Sequence, residues 1–188
     1  MKRRLSTILA LCLVLALTGC NSHISKEETI YSQETAAGEI TYFKPSHPAV
    51  KALLAQLEGY AKAAYTIDYQ TTNGQEEYEF YTPEFREWRI KEGEDKIMAT
   101  IYEEQQYKTQ YLGPIEVHKV QFNEDLTKCE VSYSFKYELS ATQAAFTERE
   151  LPGPGTYQLD DHLWFWLVDG KWYVHDYATN VTPVPVTE

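Results

Sequence analysis

The order of apolar and polar positions predicts helices in the first half of the chain. From residue 48 to residue 69, apolar residues recur three, four and seven positions apart, which is the spacing of an amphipathic helix. Pro48 suits the first turn of this helix because the proline ring fixes a helical φ angle. A shorter helical stretch is predicted at residues 75–81, after a turn at Asn73-Gly74.

Two further helices are indicated by their capping residues. Thr82 is a good N-cap for a helix that has Pro83 at its first position and ends at Gly93. A third helix is predicted to begin near Glu94, to carry its apolar residues on one side, and to fray by Gln110.

The pattern changes to a period of two after residue 114, which predicts strands. Residues 115–122 form one strand, and a change of parity among its apolar positions indicates a bulge near His118. Residues 129–140 alternate between apolar and polar without an error, so this strand has one dry face and one wet face. Cys129 begins the dry face, and we therefore predict a buried, structural thiol.

The last two strands, residues 157–168 and 171–177, form a hairpin around the turn Asp169-Gly170. A two-residue loop pairs Val168 with Lys171, Leu167 with Trp172, Trp166 with Tyr173, Phe165 with Val174, and Trp164 with His175. The face expected to join the core carries Leu163, Phe165, Leu167, Trp172 and Val174.

The opposite face of the hairpin groups four residues that we call the outer aromatic face: Trp164, Trp166, Tyr173 and His175. Two tryptophans, a tyrosine and a histidine are unusual for a surface in bare solvent. We expect this face to contact a second copy of the chain or another protein, since Trp and Tyr are common interface anchors. The alternative is that the N-terminal segment, the tail or a helix covers it.

The chain resembles a known superfamily in its order of elements. Helices followed by antiparallel strands that close on residues 165–174, together with Thr82-Pro83-Glu84-Phe85, look like the nuclear transport factor 2-like (SnoaL-like) superfamily over residues 47–178. The resemblance implies an α+β fold in which N-terminal helices pack on a curved antiparallel sheet, as a cone with a pocket between them. Members include isomerases, dehydratases, transport adaptors and exported lipoproteins, so the fold alone assigns no function.

The N-terminus resembles a lipoprotein leader. Three basic residues precede a short apolar run that ends in Leu17-Thr18-Gly19-Cys20, which resembles the bacterial lipobox. In that motif a diacylglycerol is attached to the cysteine thiol, and cleavage leaves the cysteine first. We therefore predict a signal peptide at residues 1–19 and a lipid on Cys20 that anchors the chain to the extracytoplasmic side of the bacterial cell membrane.

Charge and composition limit the other partners. The net charge is -11, and loss of the three basic leader residues makes it about -14, which disfavours nucleic acid and anionic lipid as partners. We predict a flexible tether at 20–46, with a short edge strand at 39–43 as the alternative, and an extended tail at 179–188. Lipidation of Cys20 would leave Cys129 as the one thiol after cleavage, so no internal disulfide is expected.

Candidate chemistry is sparse in the sequence. Tyr133 and Tyr137 lie on the predicted dry face and are candidates to offer hydroxyls to a ligand in the pocket, although core tyrosines are the alternative. The clusters Asp160-Asp161-His162 and His175-Asp176 are candidate acid–base pairs, but neighbouring strand residues point to opposite faces, and we interpret them as charges at the rim of the sheet. The pattern contains no metal or cofactor motif.

The function expected from these observations is that of an exported, lipid-anchored binding or protein-interaction module of the cell envelope, without catalysis. Its partners would be the membrane through Cys20, a homodimer or envelope protein through the outer aromatic face, and a small apolar ligand in the pocket. The alternative is a pocket enzyme of the isomerase or dehydratase type. That alternative requires a buried ionisable pair of Asp, His or Tyr on the pocket side of the sheet.

Overall fold

The computed structural model describes residues 29–178 and 182–186. Within these residues the protein has an α+β architecture with four α-helices and a mixed sheet of eight strands. None of the helices in this part of the chain is long and apolar enough to cross a membrane. The predicted signal peptide at 1–19 and the predicted lipid site Cys20 lie outside the described residues, as do residues 179–181 and 187–188 of the tail.

The first three α-helices begin at the predicted residues, whereas the fourth was not predicted. The helices are α1 (Pro48–Ala64), a 3-10 helix (Tyr78–Phe80), α2 (Pro83–Glu92), α3 (Glu94–Gln105) and α4 (Gln143–Glu148). The side chain of Thr82 accepts a hydrogen bond from the Phe85 backbone N–H, which confirms the predicted N-cap of α2. Gly93 ends α2 in the left-handed conformation that favours glycine.

The strands form a sheet around two long central members. They are β1 (Tyr31–Glu34), β2 (Ile40–Tyr42), β3 (Lys108–Tyr111), β4 (Glu116–Phe122), β5 (Lys128–Ser140), β6 (Gly155–Val168), β7 (Lys171–Tyr177) and β8 (Val184–Pro185). The order is β2-β1-β4-β5-β6-β7, and β3 pairs with β5 while β8 pairs with β6. Only β1 and β4 run parallel among the described pairs.

Part of the predicted tether at 20–46 is folded, which corrects that prediction. β1 pairs with β4, with Tyr31 opposite Val120, and the Tyr31 side chain is buried in the core. β2 agrees with the alternative of an edge strand at 39–43. Burial of the Tyr31 ring and the added hydrogen bonds along β4 stabilise this segment, so the folded domain begins before residue 47.

Helix α1 ends at Ala64 rather than at the predicted Tyr69 because the chain after it joins a strand. The backbones of Ile67 and Thr109 exchange two hydrogen bonds, at 3.2 and 2.9 Å. Strand β3 itself occupies residues that the sequence assigned to the frayed end of α3. The apolar face of α1 shares one hydrophobic core with the inner face of the sheet.

The alternation of β5 is confirmed by its burial. Val131, Tyr133 and Phe135 are at most 2% exposed, and Cys129 is buried as predicted, which raises the pKa of its thiol. The predicted bulge near His118 is confirmed, because the register of β4 with β5 shifts between Val117 and Lys119.

The register of the final hairpin is confirmed for four of the five predicted pairs. The exception is Trp164, which lies opposite Asp176 and not His175, because the register shifts between Trp164 and Phe165. The shift leaves His175 at an irregular position on β7. His175 nevertheless stays beside Trp166, with ring centroids 3.4 Å apart.

Candidate functional site

A cavity lined by tyrosines lies beside the inner face of the sheet, and we call it the tyrosine pocket. Its volume is about 390 Å³, within the range of roughly 300 to 1,000 Å³ that is usual for small-molecule sites. Six tyrosines line it: Tyr60, Tyr65, Tyr81, Tyr102, Tyr107 and Tyr177. Four ionisable side chains other than tyrosine also line it: Glu77, Arg89, Arg149 and Asp161.

Asp161 is a buried carboxylate at the base of the tyrosine pocket. Its side chain is 7% exposed. The Tyr133 hydroxyl donates a hydrogen bond to Oδ2 at 2.8 Å, and the His162 backbone N–H donates to Oδ1 at 2.7 Å. Burial raises the pKa of Asp161, while these two hydrogen bonds oppose the rise. Tyr133 and Asp161 meet because they are cross-strand partners in the pairing of β5 with β6.

The position of Asp161 corrects the interpretation of Asp160-Asp161-His162 as rim charges. Asp161 shares its parity along β6 with the buried Leu159 and Leu163, whereas Asp160 is exposed on the other face. His162 also lies on that outer face, with Nδ1 3.0 Å from the Ser132 hydroxyl. The sequence contained the signal for the burial of Asp161, because the alternation of β6, extended through residue 161, places this carboxylate on the inner face of the sheet.

Glu77 is a second carboxylate of the pocket that the sequence did not single out. It precedes the 3-10 helix, and the Tyr81 hydroxyl donates a hydrogen bond to its Oε1 at 3.0 Å. Burial raises the pKa of Glu77. An irregular segment of this kind has no periodic pattern from which the direction of a side chain could be predicted.

Arg89 is a buried cation surrounded by aromatic rings, and the sequence also missed it. Its guanidinium carbon lies 5.3 to 5.9 Å from the ring centroids of Tyr78, Tyr81, Phe85 and Tyr177. It pairs with Glu94 at 2.9 Å and donates hydrogen bonds to the hydroxyls of Tyr78 and Tyr177. The polar sequence of α2 resembles a solvated helix and gives no sign that one arginine is buried.

The two tyrosines predicted to bind a ligand lie behind the pocket. Tyr133 reaches it through its hydrogen bond to Asp161. Tyr137 is 2% exposed, and its ring packs against Tyr65 and Tyr157, at centroid distances of 5.4 and 6.2 Å. Tyr133 is therefore placed to act on the pocket, whereas Tyr137 packs within the core.

The outer aromatic face is partly covered by contacts among its own residues and with two neighbouring lysines. Trp166 stacks on His175, and the Lys128 ammonium lies 4.2 Å from a Trp166 ring centroid. Tyr173 is beside the Lys171 ammonium, and Trp164 is the most exposed member at 37%. His175 and Asp176, the other candidate acid–base pair, lie outside the tyrosine pocket, and partial burial lowers the pKa of His175.

An open groove of about 750 Å³ borders Trp164 and Trp166. Four carboxylates line this groove: Glu34, Glu124, Asp125 and Glu130. It is larger than the tyrosine pocket, but its carboxylates lie at an open surface, while Asp161 is held away from water. Among the described residues, no three His, Cys, Asp or Glu side chains lie close enough to hold a metal ion.

Comparisons with known proteins find solved structures that are similar to this chain but do not assign it to a family. No family model and no curated protein matches the sequence. An IcmL-like type IV secretion system protein from Legionella pneumophila is 13% identical, with a TM-score of 0.44 over 73% of this chain and 94% of that chain. The intermembrane space region of the chloroplast protein ARC6 is 12% identical, with a TM-score of 0.39 over 74% and 100% of the two chains.

A third solved structure is similar to the same extent. It is a Xanthomonas campestris protein assigned as a calcium/calmodulin-dependent protein kinase II association domain. It is 13% identical, with a TM-score of 0.42 over 77% of this chain and 94% of that chain.

Proposed function

We propose that the protein binds a small organic molecule in the tyrosine pocket. The observation that carries this proposal is the buried carboxylate of Asp161, which has hydrogen-bond donors but no ion-pair partner within 4.0 Å among the described residues. Removing a carboxylate from water raises the free energy of the folded state. Folding does not require a carboxylate at this position. Buried ionisable groups that line a cavity are typical of binding and catalytic sites.

We propose the nuclear transport factor 2-like cone as the finer description of the fold. Helices precede the long antiparallel strands in the chain, and the tyrosine pocket lies between residues of α1 and residues of β6. This order of elements supports the resemblance over residues 47–178. The part at 31–42 adds two strands at one edge of the sheet.

Attachment to the outer surface of the bacterial membrane through a lipid on Cys20 is also a proposal. Its support is the basic and apolar leader that ends in Leu17-Thr18-Gly19-Cys20. Acyl chains contribute about 0.8 kcal/mol per buried methylene, which would hold an acidic protein at a membrane that its charge disfavours.

A second candidate function is acid–base catalysis in the same pocket, of the isomerase or dehydratase type. The specific support is the contact of Asp161 with Tyr133 at 2.8 Å. A carboxyl with a raised pKa beside a hydroxyl is able to take a proton from a bound molecule and return it at a neighbouring atom. Glu77 with Tyr81 repeats this pairing on the helical side of the pocket.

The outer aromatic face is proposed to contact a second copy of the chain. Replacing Trp164 with serine is then expected to abolish a dimer in sedimentation while the fold is kept, because the ring is 37% exposed. Tyr42→Ser is the control, since Tyr42 is an aromatic residue 43% exposed on β2, at the opposite end of the strand order from β7. Measurements in a density-matched detergent suit the lipidated chain. Equal effects of the two substitutions, or a wild-type monomer, would contradict the homodimer.

The substitution Asp161→Asn tests whether this carboxylate serves binding or folding. Because the pKa of Asp161 is higher in the folded protein than in the unfolded one, the wild type loses stability as pH rises from the unfolded pKa through the folded one. The amide keeps the shape and does not ionise. We expect Asp161→Asn to have the higher free energy of unfolding at pH 7, and we expect the difference to shrink as the pH is lowered toward the unfolded pKa of Asp, about 4.

The measurement is denaturant unfolding of the full-length chain in mild detergent across that range of pH. The titratable side chains that face Asp161 are Tyr133 on β5, Tyr60 on α1 and Tyr65 after α1, while the adjacent His162 side chain lies on the outer face of β6. The tyrosines do not titrate between pH 4 and pH 7, and Asp160→Asn on the outer face reports any general effect of removing a charge. A variant that is less stable than the wild type at pH 7 would make Asp161 a structural acceptor for Tyr133, and the binding proposal would fail.

A further inference from the structure

We infer that the molecule in the tyrosine pocket is a small organic cation, an amine carrying an ammonium group. This inference rests on the proposed binding function and names the chemical class of the ligand. It follows from the charges that face the cavity and from the chemistry of its walls.

The cavity holds two carboxylates, Glu77 and Asp161, that form no ion pair within 4.0 Å with a cation of the described residues, although Arg89 lowers the pKa of Glu77 from a longer distance. The described residues contain three ion pairs, Arg89 with Glu94, Lys108 with Asp68, and His162 with Glu130. None of them includes Glu77 or Asp161. Tyrosine hydroxyls and one backbone N–H are the partners of these two carboxylates, and these donors carry no formal charge.

The two arginines of the lining are already engaged. Arg89 pairs with Glu94 and is enclosed by aromatic rings. Arg149 is an exposed residue whose guanidinium lies 5.0 Å from the Tyr107 ring centroid and donates to the Gln105 side-chain oxygen. A bound ammonium would therefore offset part of the negative charge of Glu77 and Asp161, which a neutral molecule would leave unchanged.

The walls suit a cation for a second reason. The faces of aromatic rings attract ammonium and guanidinium groups through their quadrupole, by roughly 0.5 to 2 kcal/mol per contact. The protein itself places a cation in this way, since the Arg89 guanidinium lies among Tyr78, Tyr81, Phe85 and Tyr177. The lining rings of Tyr60, Tyr65 and Tyr102 are not occupied by a side-chain cation in the described residues.

The test compares three probes that share a phenol ring and a short arm but differ in charge. They are tyramine, which carries an ammonium, tyrosol, which carries a neutral hydroxyl, and 4-hydroxyphenylacetate, which carries a carboxylate. Isothermal titration calorimetry of the full-length chain in mild non-ionic detergent at pH 7.5 gives the three dissociation constants. We expect tyramine to bind at least about tenfold more tightly than tyrosol, and 4-hydroxyphenylacetate to bind most weakly.

Matched variants connect this preference to the named carboxylates. Asp161→Asn and, independently, Glu77→Gln are each expected to lower the affinity for tyramine by about tenfold and to leave the affinity for tyrosol nearly unchanged. Asp160→Asn makes the same charge change on the opposite face of β6 and is expected to keep the wild-type preference. If Asp160→Asn lowered the affinity for tyramine as much as Asp161→Asn, attraction by the net charge of the protein would replace the pocket as the cause.

The other outcomes separate this inference from the proposed function. Tighter binding of tyrosol or 4-hydroxyphenylacetate than of tyramine would overturn the assignment of a cation and leave a small-molecule pocket in place. Absence of binding by all three probes, together with an Asp161→Asn variant that is less stable than the wild type, would overturn both.

Discussion

Replacing Arg89 with alanine is expected to lower the free energy of unfolding by about 3 kcal/mol. The side chain of Arg89 is 6% exposed, and its removal opens a space among four aromatic rings and breaks the pair with Glu94. The Glu94 side chain is 31% exposed, so water solvates part of the charge left behind. The expected loss is therefore placed at the low end of the range for a buried ion pair.

The control for this substitution lies on the same helix. Arg86 is exposed on α2, so Arg86→Ala is expected to change stability by less than about 0.5 kcal/mol. Denaturant unfolding of both variants at pH 7 measures the difference. Similar small losses for both would show that water replaces the Arg89 guanidinium at little cost, and the ring contacts would not stabilise the fold.

Arg89 also links the elements that carry one wall of the pocket. It lies on α2, pairs with Glu94 at the start of α3, and contacts Tyr81 and Tyr177, which line the cavity. Stabilising interactions at this point hold the two helices against β7. The stability of the fold and the shape of the tyrosine pocket therefore depend on the same side chain.

The sequence predicted those elements whose signals are local. The alternation of β5, the parity change at His118, the cap at Thr82 and the turn at Asp169-Gly170 each depend on residues within one turn or strand. The hairpin register was correct from the turn back to Phe165 because the loop length sets it. Beyond that point a bulge moved Trp164 to Asp176, and bulges of this kind depend on contacts outside the hairpin.

The elements that the sequence missed depend on partners far along the chain. β1 is a short polar strand that is stabilised by its pairing with β4 and by burial of Tyr31. β3 likewise depends on β5, with Thr109 opposite Leu139. Short edge strands carry too few residues for a periodic pattern, so their propensity alone does not distinguish them from a loop.

The candidate site was predictable in one part only. Asp161 follows from the parity of β6, and its partner Tyr133 follows from the parity of β5, although pairing the two strands required their register. Glu77 and Arg89 come from an irregular segment and from a helix with a polar sequence. Their burial results from the packing of these segments on the sheet, which no local pattern contains.

Replacing Gly74 with alanine is expected to cost about 3 to 4 kcal/mol of unfolding free energy. Gly74 has a φ angle of +76°, and a Cβ atom there would lie 2.1 Å from the Asp95 carbonyl oxygen and 2.9 Å from its carbonyl carbon. Both atoms belong to the backbone of α3, so the first turn of that helix would have to move. Gly74 also lines the tyrosine pocket, and the substitution is expected to weaken tyramine binding as well.

Gly38→Ala separates backbone strain from this close contact. Gly38 has nearly the same φ angle, +79°, but no atom lies within 4 Å of the position of its Cβ. The free energy of unfolding of that variant should therefore fall by only about 1 kcal/mol, which is the cost of placing alanine in a left-handed conformation. Denaturant unfolding of the two variants measures how much more stability Gly74→Ala loses than Gly38→Ala. Equal losses would mean that α3 shifts freely. Such a shift would also show that the wall of the pocket at Gly74 is not rigid.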